Sequence, residues 1–286
     1  MPYTLQPGRA PRLAASSPRL VESRGDHEES PITKPDPNLT PSLEGRVALV
    51  TGSTRGLGHA IVNGFAAAGA RVVVSGRTQA DCDATARAIT AAGGEAIGIA
   101  ADMMRMADLD RLVAGAVARF GGIDVLVNNA ADATLGLLES LTEEDWDRVQ
   151  IVNAKAPVFL AIKALPHLAK SGRASVINVI SVGVWNGTFA MGLYRSSKSA
   201  LLGASKVMSK EWASRGIRVN CIAPGTFETD MIGWMTDDVR ARAKEMAALG
   251  RFADPKELVP AALFLASDQS SYVTGSVLTV DGGLLS

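Results

Sequence analysis

From residue 45 onward, short apolar runs alternate with longer stretches whose apolar residues recur at helical spacing. RVALVT (46–51), RVVVSG (71–76), EAIGIAAD (95–102), IDVLVNNAAD (123–132), SVINVIS (175–181), IRVNCIAPG (217–225) and SVLTVDGG (276–283) are rich in β-branched residues and read as strands. Helices are expected at about 78–92, 108–120 and 255–267. A long helix is expected to start at Thr142, where Asp145 three residues on resembles a capping arrangement. Another is expected over the Ala- and Ser-rich run headed by Tyr194 and Lys198. Strand and helix in alternation define an α/β chain built from βαβ units.

Residues 1–44 break this pattern. They are rich in Pro, Ser and Arg, with Pro31, Pro35, Pro37 and Pro41 placed to interrupt any regular element. A disordered leader is the expectation for 1–44, followed by one folded domain over 45–286. Arg9, Arg12 and Arg19, with no acid among the first 21 residues, leave an organelle-targeting segment as the alternative to a plain tail. No apolar h-region suggests a secretory signal.

Composition narrows the function. The chain has 286 residues, 47% of them hydrophobic, and a formal net charge of zero. With no basic block in the folded part, nucleic-acid binding has no support. No apolar run approaches the roughly 18 residues needed to cross a bilayer, so no membrane partner is expected. Cys82 and Cys221 are isolated, which fits a reduced, cytoplasmic setting and offers no metal cluster.

The first apolar run leads straight into Gly52-Ser53-Thr54-Arg55-Gly56-Leu57-Gly58 and then an Ala-rich helix. Glycines in a strand–turn–helix context let the backbone approach a phosphate held by the helix N-terminus. A turn that needs glycine for its own shape is the other reading. After the second run, the place where an acid would hold the ribose of NAD has Ser75-Gly76 and then Arg77. Arg77 and Arg55, with no opposing carboxylate, favour NADP(H), with NAD(H) as the alternative. Asp102, ending the third run, can accept from an adenine amino group or cap the next turn. Asn128 and Asn129 end the fourth run, where ligands bind in open α/β sheets. Asn153 precedes Pro157, which should kink its helix and free carbonyls for water, making Asn153 a candidate proton-relay post.

Tyr194 and Lys198 are four apart, on one helix face. A fixed ammonium favours phenolate, so Lys198 is expected to lower the pKa of Tyr194. Ser181, thirteen residues upstream, can meet Tyr194 across a loop.

Taken together, T-G-x-x-x-G-x-G at Thr51–Gly58, N-N-A at Asn128–Ala130, Asn153, Ser181, Tyr194-x-x-x-Lys198 and Pro224-Gly225 resemble the short-chain dehydrogenase/reductase family. The likeness is to its compact single-domain members, such as β-ketoacyl carrier-protein reductases and sugar or polyol dehydrogenases. The resemblance implies a Rossmann-like, doubly wound parallel sheet of about seven strands with helices on both faces. It implies hydride transfer between a nicotinamide cofactor and a secondary alcohol or ketone, without a metal. Tyr194 would be the general acid/base, Lys198 would lower its pKa and bind the nicotinamide ribose, Ser181 would orient the carbonyl and Asn153 would hold a relay water. Gly52 to Gly58, Arg77, Asp102, Asn129, Pro224, Gly225, Phe227 and Thr229 would contact the cofactor. Met231, Ile232, Trp234 and Met235 would belong to a mobile lid, or to an ordinary helix core. A homotetramer or homodimer is common in the family. Ala131 stands where the family has glycine, and Phe227 where it has Val or Ile. A catalytically retired nucleotide-binding scaffold is the alternative function.

Overall fold

The apolar runs show little two-residue alternation because most strands are covered on both faces. The computed structural model describes residues 41–286, and the expectations for 1–40 lie outside them. β1 (Val47–Thr51) is buried throughout and runs into α1 (Gly56–Ala67). β2 (Arg71–Gly76), α2 (Gln79–Ala91), β3 (Glu95–Ala100), α3 (Met106–Phe120) and β4 (Val125–Asn128) continue the alternation. Then come α4 (Glu143–Gln150), α5 (Ala156–Ser171), β5 (Ala174–Val179), α6 (Gly192–Glu211) and β6 (Ile217–Pro224). The described chain closes with α7 (Asp237–Glu245), α8 (Val259–Ala266) and β7 (Val277–Val280).

The strands form one seven-stranded sheet of order β3-β2-β1-β4-β5-β6-β7, and every pairing is parallel. This is the expected doubly wound Rossmann-like sheet. Inside a buried strand, alternate residues still go to opposite faces. Val47 and Leu49 join a core with Leu112 of α3, Leu160 of α5 and Trp212 after α6. Ala48 and Val50 join a second core with Phe65 of α1, Ile89 of α2 and Leu265 of α8. Strand order reverses between β1 and β4, so the crevice for a ligand opens at their C-terminal ends.

Three expectations change. Leu43, assigned to the leader, is fully buried in the second core, and its N–H donates to Ala68 O (2.9 Å). A single apolar residue in polar surroundings carries no periodicity that could announce this. The long helix expected from Thr142 is interrupted. Thr142 and Asp145 make the capping box at its start, but a π turn, Ile151–Lys155, separates α4 from α5. Pro157 has no N–H to donate and stands in the first turn of α5, so the break falls just before it. The helix near 255–267 opens as a 3-10 turn, Pro255–Leu258, before α8.

Candidate active site

The glycine turn is shaped by close approach. Gly52 and Gly56 have φ of +61° and +56°, the left-handed region in which other residues are strained. A Cβ on Gly52 would lie 2.8 Å from Ala130 Cα, and one on Gly58 would lie 2.3 Å from both Gly52 O and Asn129 Nδ2. The contacts knit the β1 and β4 turns together. Thr51 Oγ1 accepts from the N–H groups of Asn129 (3.0 Å) and Ala130 (3.1 Å), while Asn129 Nδ2 donates to Thr51 O and Gly52 O. α1 begins without a side-chain cap and without an acid in its first turn. Its N-terminal N–H groups are thus left for an anionic ligand.

Several residues expected to face a cofactor turn inward. Ser53 is fully buried; its hydroxyl donates to Val50 O (2.7 Å) and accepts from Ser75 N (2.9 Å), while its N–H goes to Ser75 O. It ties the turn to β2. Asn129 spends its amide N–H groups on the turn, and the Leu57 side chain packs on the second core. Phe227 is buried in that same core, which is why a bulky ring is accommodated there. Asp102 caps the next turn, its Oδ1 accepting from Met104 N (3.0 Å). Gly225 lies against Asp281, where a Cβ would come within 2.7 Å of the backbone. Thr229 reaches over the turn: a Cβ on Gly56 would be 3.5 Å from its Cγ2.

Arg55 also departs from expectation. Its guanidinium lies 3.7 Å from the Asp230 carboxylate, so it does have an opposing acid, although both groups are well exposed. Sequence distance hid this contact. Arg77 is exposed and, among the described residues, has no carboxylate partner. A Cβ on Gly76 would meet Thr54 Cγ2 at 2.8 Å, so an acidic side chain at 76 would have to displace Thr54. Of the expected lid residues, Met231 and Trp234 are exposed, whereas Ile232 is buried.

Ser181, Tyr194 and Lys198 come together at the C-terminal ends of the central strands. Ser181 follows β5 and caps a 3-10 turn (182–184), accepting from Gly183 N (3.0 Å). Tyr194 and Lys198 lie on the first turns of α6, both buried. The Lys198 ammonium donates to Val179 O (2.8 Å) and sits 5.7 Å from the Tyr194 ring centroid. Asn153 stands in the π turn, fully buried. Its Oδ1 accepts from Asp132 N (2.7 Å), and its Nδ2 donates to Asp132 O (2.8 Å) and Ser197 Oγ (3.0 Å). Both amide N–H groups are therefore engaged by protein, and the side chain positions two segments rather than holding a water through its nitrogen.

The expected lowering of the Tyr194 pKa does not come from the protein's own groups. Burial pushes the phenol up to about 12, although the Ser181 hydrogen bond and the Arg195 charge act in the lowering direction. Burial pushes Lys198 down to about 8, with the neighbouring Cys221 acting in the opposite direction. In each group desolvation outweighs the neighbours that act against it.

Lys198 also gives a stability prediction. Below about pH 8 the folded protein carries a buried ammonium that the unfolded chain would hydrate. That penalty fades as pH rises toward the unfolded value of 10.5, above which neither state holds the proton. The melting temperature of wild type minus that of Lys198→Met is expected to increase between pH 8 and 10. Thermal denaturation at several pH values checks this; a difference flat with pH would contradict it.

Sequence reasoning missed the supports of the site. Asp132, held by Asn153, accepts from Arg148 Nε (3.2 Å) and from Thr134 Oγ1 (2.7 Å), while Arg148 also donates to Asp145 (2.8 Å). Asn128 Nδ2 donates to Asn178 Oδ1 (2.8 Å), and Asn178 Nδ2 donates to Ser205 Oγ (2.8 Å), which ties β4, β5 and α6 under the site. Only the end-of-strand position of Asn128 signalled any of this.

Residues 52–285 match the family model described as enoyl-(acyl carrier protein) reductase. A dehydrogenase/reductase SDR family member 4 from Sus scrofa is 40% identical over 247 residues, covering 85% of this chain and 88% of its own length. A 3-oxoacyl-(acyl-carrier-protein) reductase from Thermotoga maritima is 37% identical over 243 residues, covering 85% of this chain and 99% of its own. A solved gluconate 5-dehydrogenase from Burkholderia cenocepacia, in complex with NADP and tartrate, superposes with a TM-score of 0.83 at 33% identity. It covers 86% of this chain and 97% of that one. With fold, motif order and relatives in agreement, the chain belongs to the short-chain dehydrogenase/reductase family and is an NAD(P)-dependent oxidoreductase acting on alcohol and ketone groups.

Proposed function

We propose that the protein is an NADP(H)-preferring reductase that uses Tyr194 as proton donor. The observation that carries this reading is the juxtaposition of buried Tyr194 with Ser181 and with Lys198, whose ammonium is fixed on Val179 O. A phenol is protonated at neutral pH, as the donor in carbonyl reduction must be. A bound nicotinamide supplies the hydride. Ser181 holds the carbonyl oxygen within reach of the phenol, Tyr194 delivers the proton to that oxygen, and Lys198 places a positive charge under the ring. The tight glycine turn and the uncapped N-terminus of α1, with no acid in its first turn, fit a pyrophosphate. The closeness of Thr229 to Gly56 supports its bordering the cofactor.

For the phosphate of NADP(H), the support is local. Arg77 is exposed and has no carboxylate partner among the described residues, and an acid at Gly76, where an NAD ribose would ask for one, would have to displace Thr54. Arg55 is the second cation, shared with Asp230. A charge-assisted contact is worth roughly 1.5–3 kcal/mol, so NADPH is expected to bind about tenfold to a hundredfold more tightly than NADH. Fluorescence titration of both checks this, and equal affinities would overturn the assignment. Turnover of NADPH against a panel of ketones, β-ketoacyl thioesters and sugar-derived carbonyls tests the activity itself. Binding without any turnover would favour a retired scaffold.

No helix among the described residues is long and apolar enough to cross a membrane. The two cysteines are free and buried, in keeping with a reducing, cytoplasmic setting. Phe159 and Ile162 of α5 and Val207 of α6 are exposed apolar side chains. They support association of copies into a homotetramer or homodimer.

A further inference from the structure

The residue after the proton donor has no part in the reaction described above, yet it is the most heavily engaged cation near the site. Arg195 projects from the first turn of α6 back onto the loop that follows Ser181. Its Nη1 donates to Gly183 O (3.1 Å) and to the main-chain and side-chain oxygens of Asn186, and its Nη2 donates to Thr188 Oγ1. The side chain lies flat on Gly183: a Cβ there would be 3.1 Å from Arg195 Cγ, 3.2 Å from Cζ and 3.2 Å from Ser181 Oγ. Gly183 in turn donates its N–H to Ser181 Oγ. Arg195, Gly183, Ser181 and Tyr194 therefore form one contiguous set.

The loop needs such a tether. Residues 185–189 are all exposed, Trp185 and Phe189 among them, so burial does not hold them. At the far end Ala190 has φ of +60°, the only non-glycine residue in the left-handed region among those described. It is kept there by Gly136 N donating to Ala190 O (3.0 Å). Between Gly183 and Ala190, the side-chain hydrogen bonds that bind the loop to the body of the protein come from Arg195.

We propose that Arg195 is a positioning residue: it clamps the Gly183–Thr188 loop onto the catalytic helix and so sets both the Ser181 hydroxyl and the substrate entrance relative to Tyr194. The clamp needs the planar, multi-donor guanidinium, because an ammonium cannot reach three separate loop residues in one geometry. Its Nη1 and Nη2 groups serve the loop, while its buried Nε has no hydrogen-bond partner among the described residues. This inference rests on Tyr194 being the proton donor, but the clamp itself can be measured without turnover.

The test uses the full chain with Arg195→Met, Arg195→Lys and the double variant Asn186→Ala/Thr188→Val, which removes acceptors instead of the donor. Amide hydrogen exchange over 182–190 is expected to quicken about tenfold or more in Arg195→Met, with Arg195→Lys only a partial rescue and the double variant close to Arg195→Met. NADPH affinity is expected to hold. With a neutral ketone, KM is expected to rise about tenfold and kcat to fall less, because substrate placement is lost before chemistry. Unchanged exchange and unchanged KM in Arg195→Met would overturn the proposal. So would a loss confined to carboxylate-bearing substrates, which would make Arg195 an anion-binding residue. If Arg195→Met does not fold, the double variant decides by the same exchange measurement. If wild type shows no turnover at all, the exchange result still stands and only the functional reading fails.

Discussion

Replacing Tyr194 by Phe is expected to slow carbonyl reduction about 10²–10⁴-fold, the usual cost of losing a general acid. The ring and its packing stay, so the melting temperature and NADPH affinity are expected to change little. Two observations set the size of the effect. Tyr194 is buried, so water does not readily replace the lost hydroxyl as donor. The remaining cations near the site hold other partners: Lys198 donates to Val179 O and Arg195 to the loop. Ser181 loses the phenol as a hydrogen-bond partner, keeps Gly183 N, and is left to orient a carbonyl that receives no proton. Steady-state rates with a good ketone, beside a melting curve and an NADPH titration, separate loss of chemistry from loss of fold.

Gly58→Ala is expected to act on binding and stability. The added methyl would lie 2.3 Å from Gly52 O and from Asn129 Nδ2. Gly52 O is backbone in a turn already at positive φ, and Asn129 is held by two hydrogen bonds, so neither yields cheaply. Overpacking of this kind costs about 1–3 kcal/mol. For a chain of this size that is roughly 2–12 °C in melting temperature. Opening the turn also moves the first-turn N–H groups away from a bound phosphate. Loss of even one such charge-assisted contact weakens binding about tenfold to a hundredfold. Calorimetry and cofactor titration check both; a variant with wild-type melting and wild-type NADPH affinity would show that the cradle is not what holds the cofactor.

Much of this architecture was legible because local signals and global fold agree. β-branched runs became parallel strands, and the capping pair Thr142–Asp145 formed where spacing placed it. Ser181 and Tyr194-x-x-x-Lys198, thirteen residues apart, met because one loop joins β5 to α6. What the sequence hid was the direction of side chains and the company they keep. Ser53 and Phe227 stand at positions that suggest a ligand, yet they point into the protein, since burial on one side of a turn has no period to reveal it. Arg55 meets Asp230 only after the chain has crossed the sheet. The Tyr194 pKa was misjudged because spacing shows a neighbouring charge but not the desolvation that outweighs it. The partners of the Asn153 amide, Asp132 and Ser197, were equally hidden. Arg195 carried no signal beyond its place after the tyrosine.

The central claim is that Tyr194 gives up the proton in carbonyl reduction. Its most direct test is the pH profile of kcat for ketone reduction at saturating NADPH, in wild type and in Tyr194→Phe. Since burial holds the phenol protonated, the wild-type rate is predicted to stay level through neutral pH and to fall far on the alkaline side as the phenol ionises. A step near pH 8, where Lys198 loses its charge, is predicted in both proteins, whereas the variant is predicted to be slow throughout and to lack the further limb of the phenol. A Tyr194→Phe enzyme that kept the wild-type rate and the same limb would contradict the account and move the proton donor to another group.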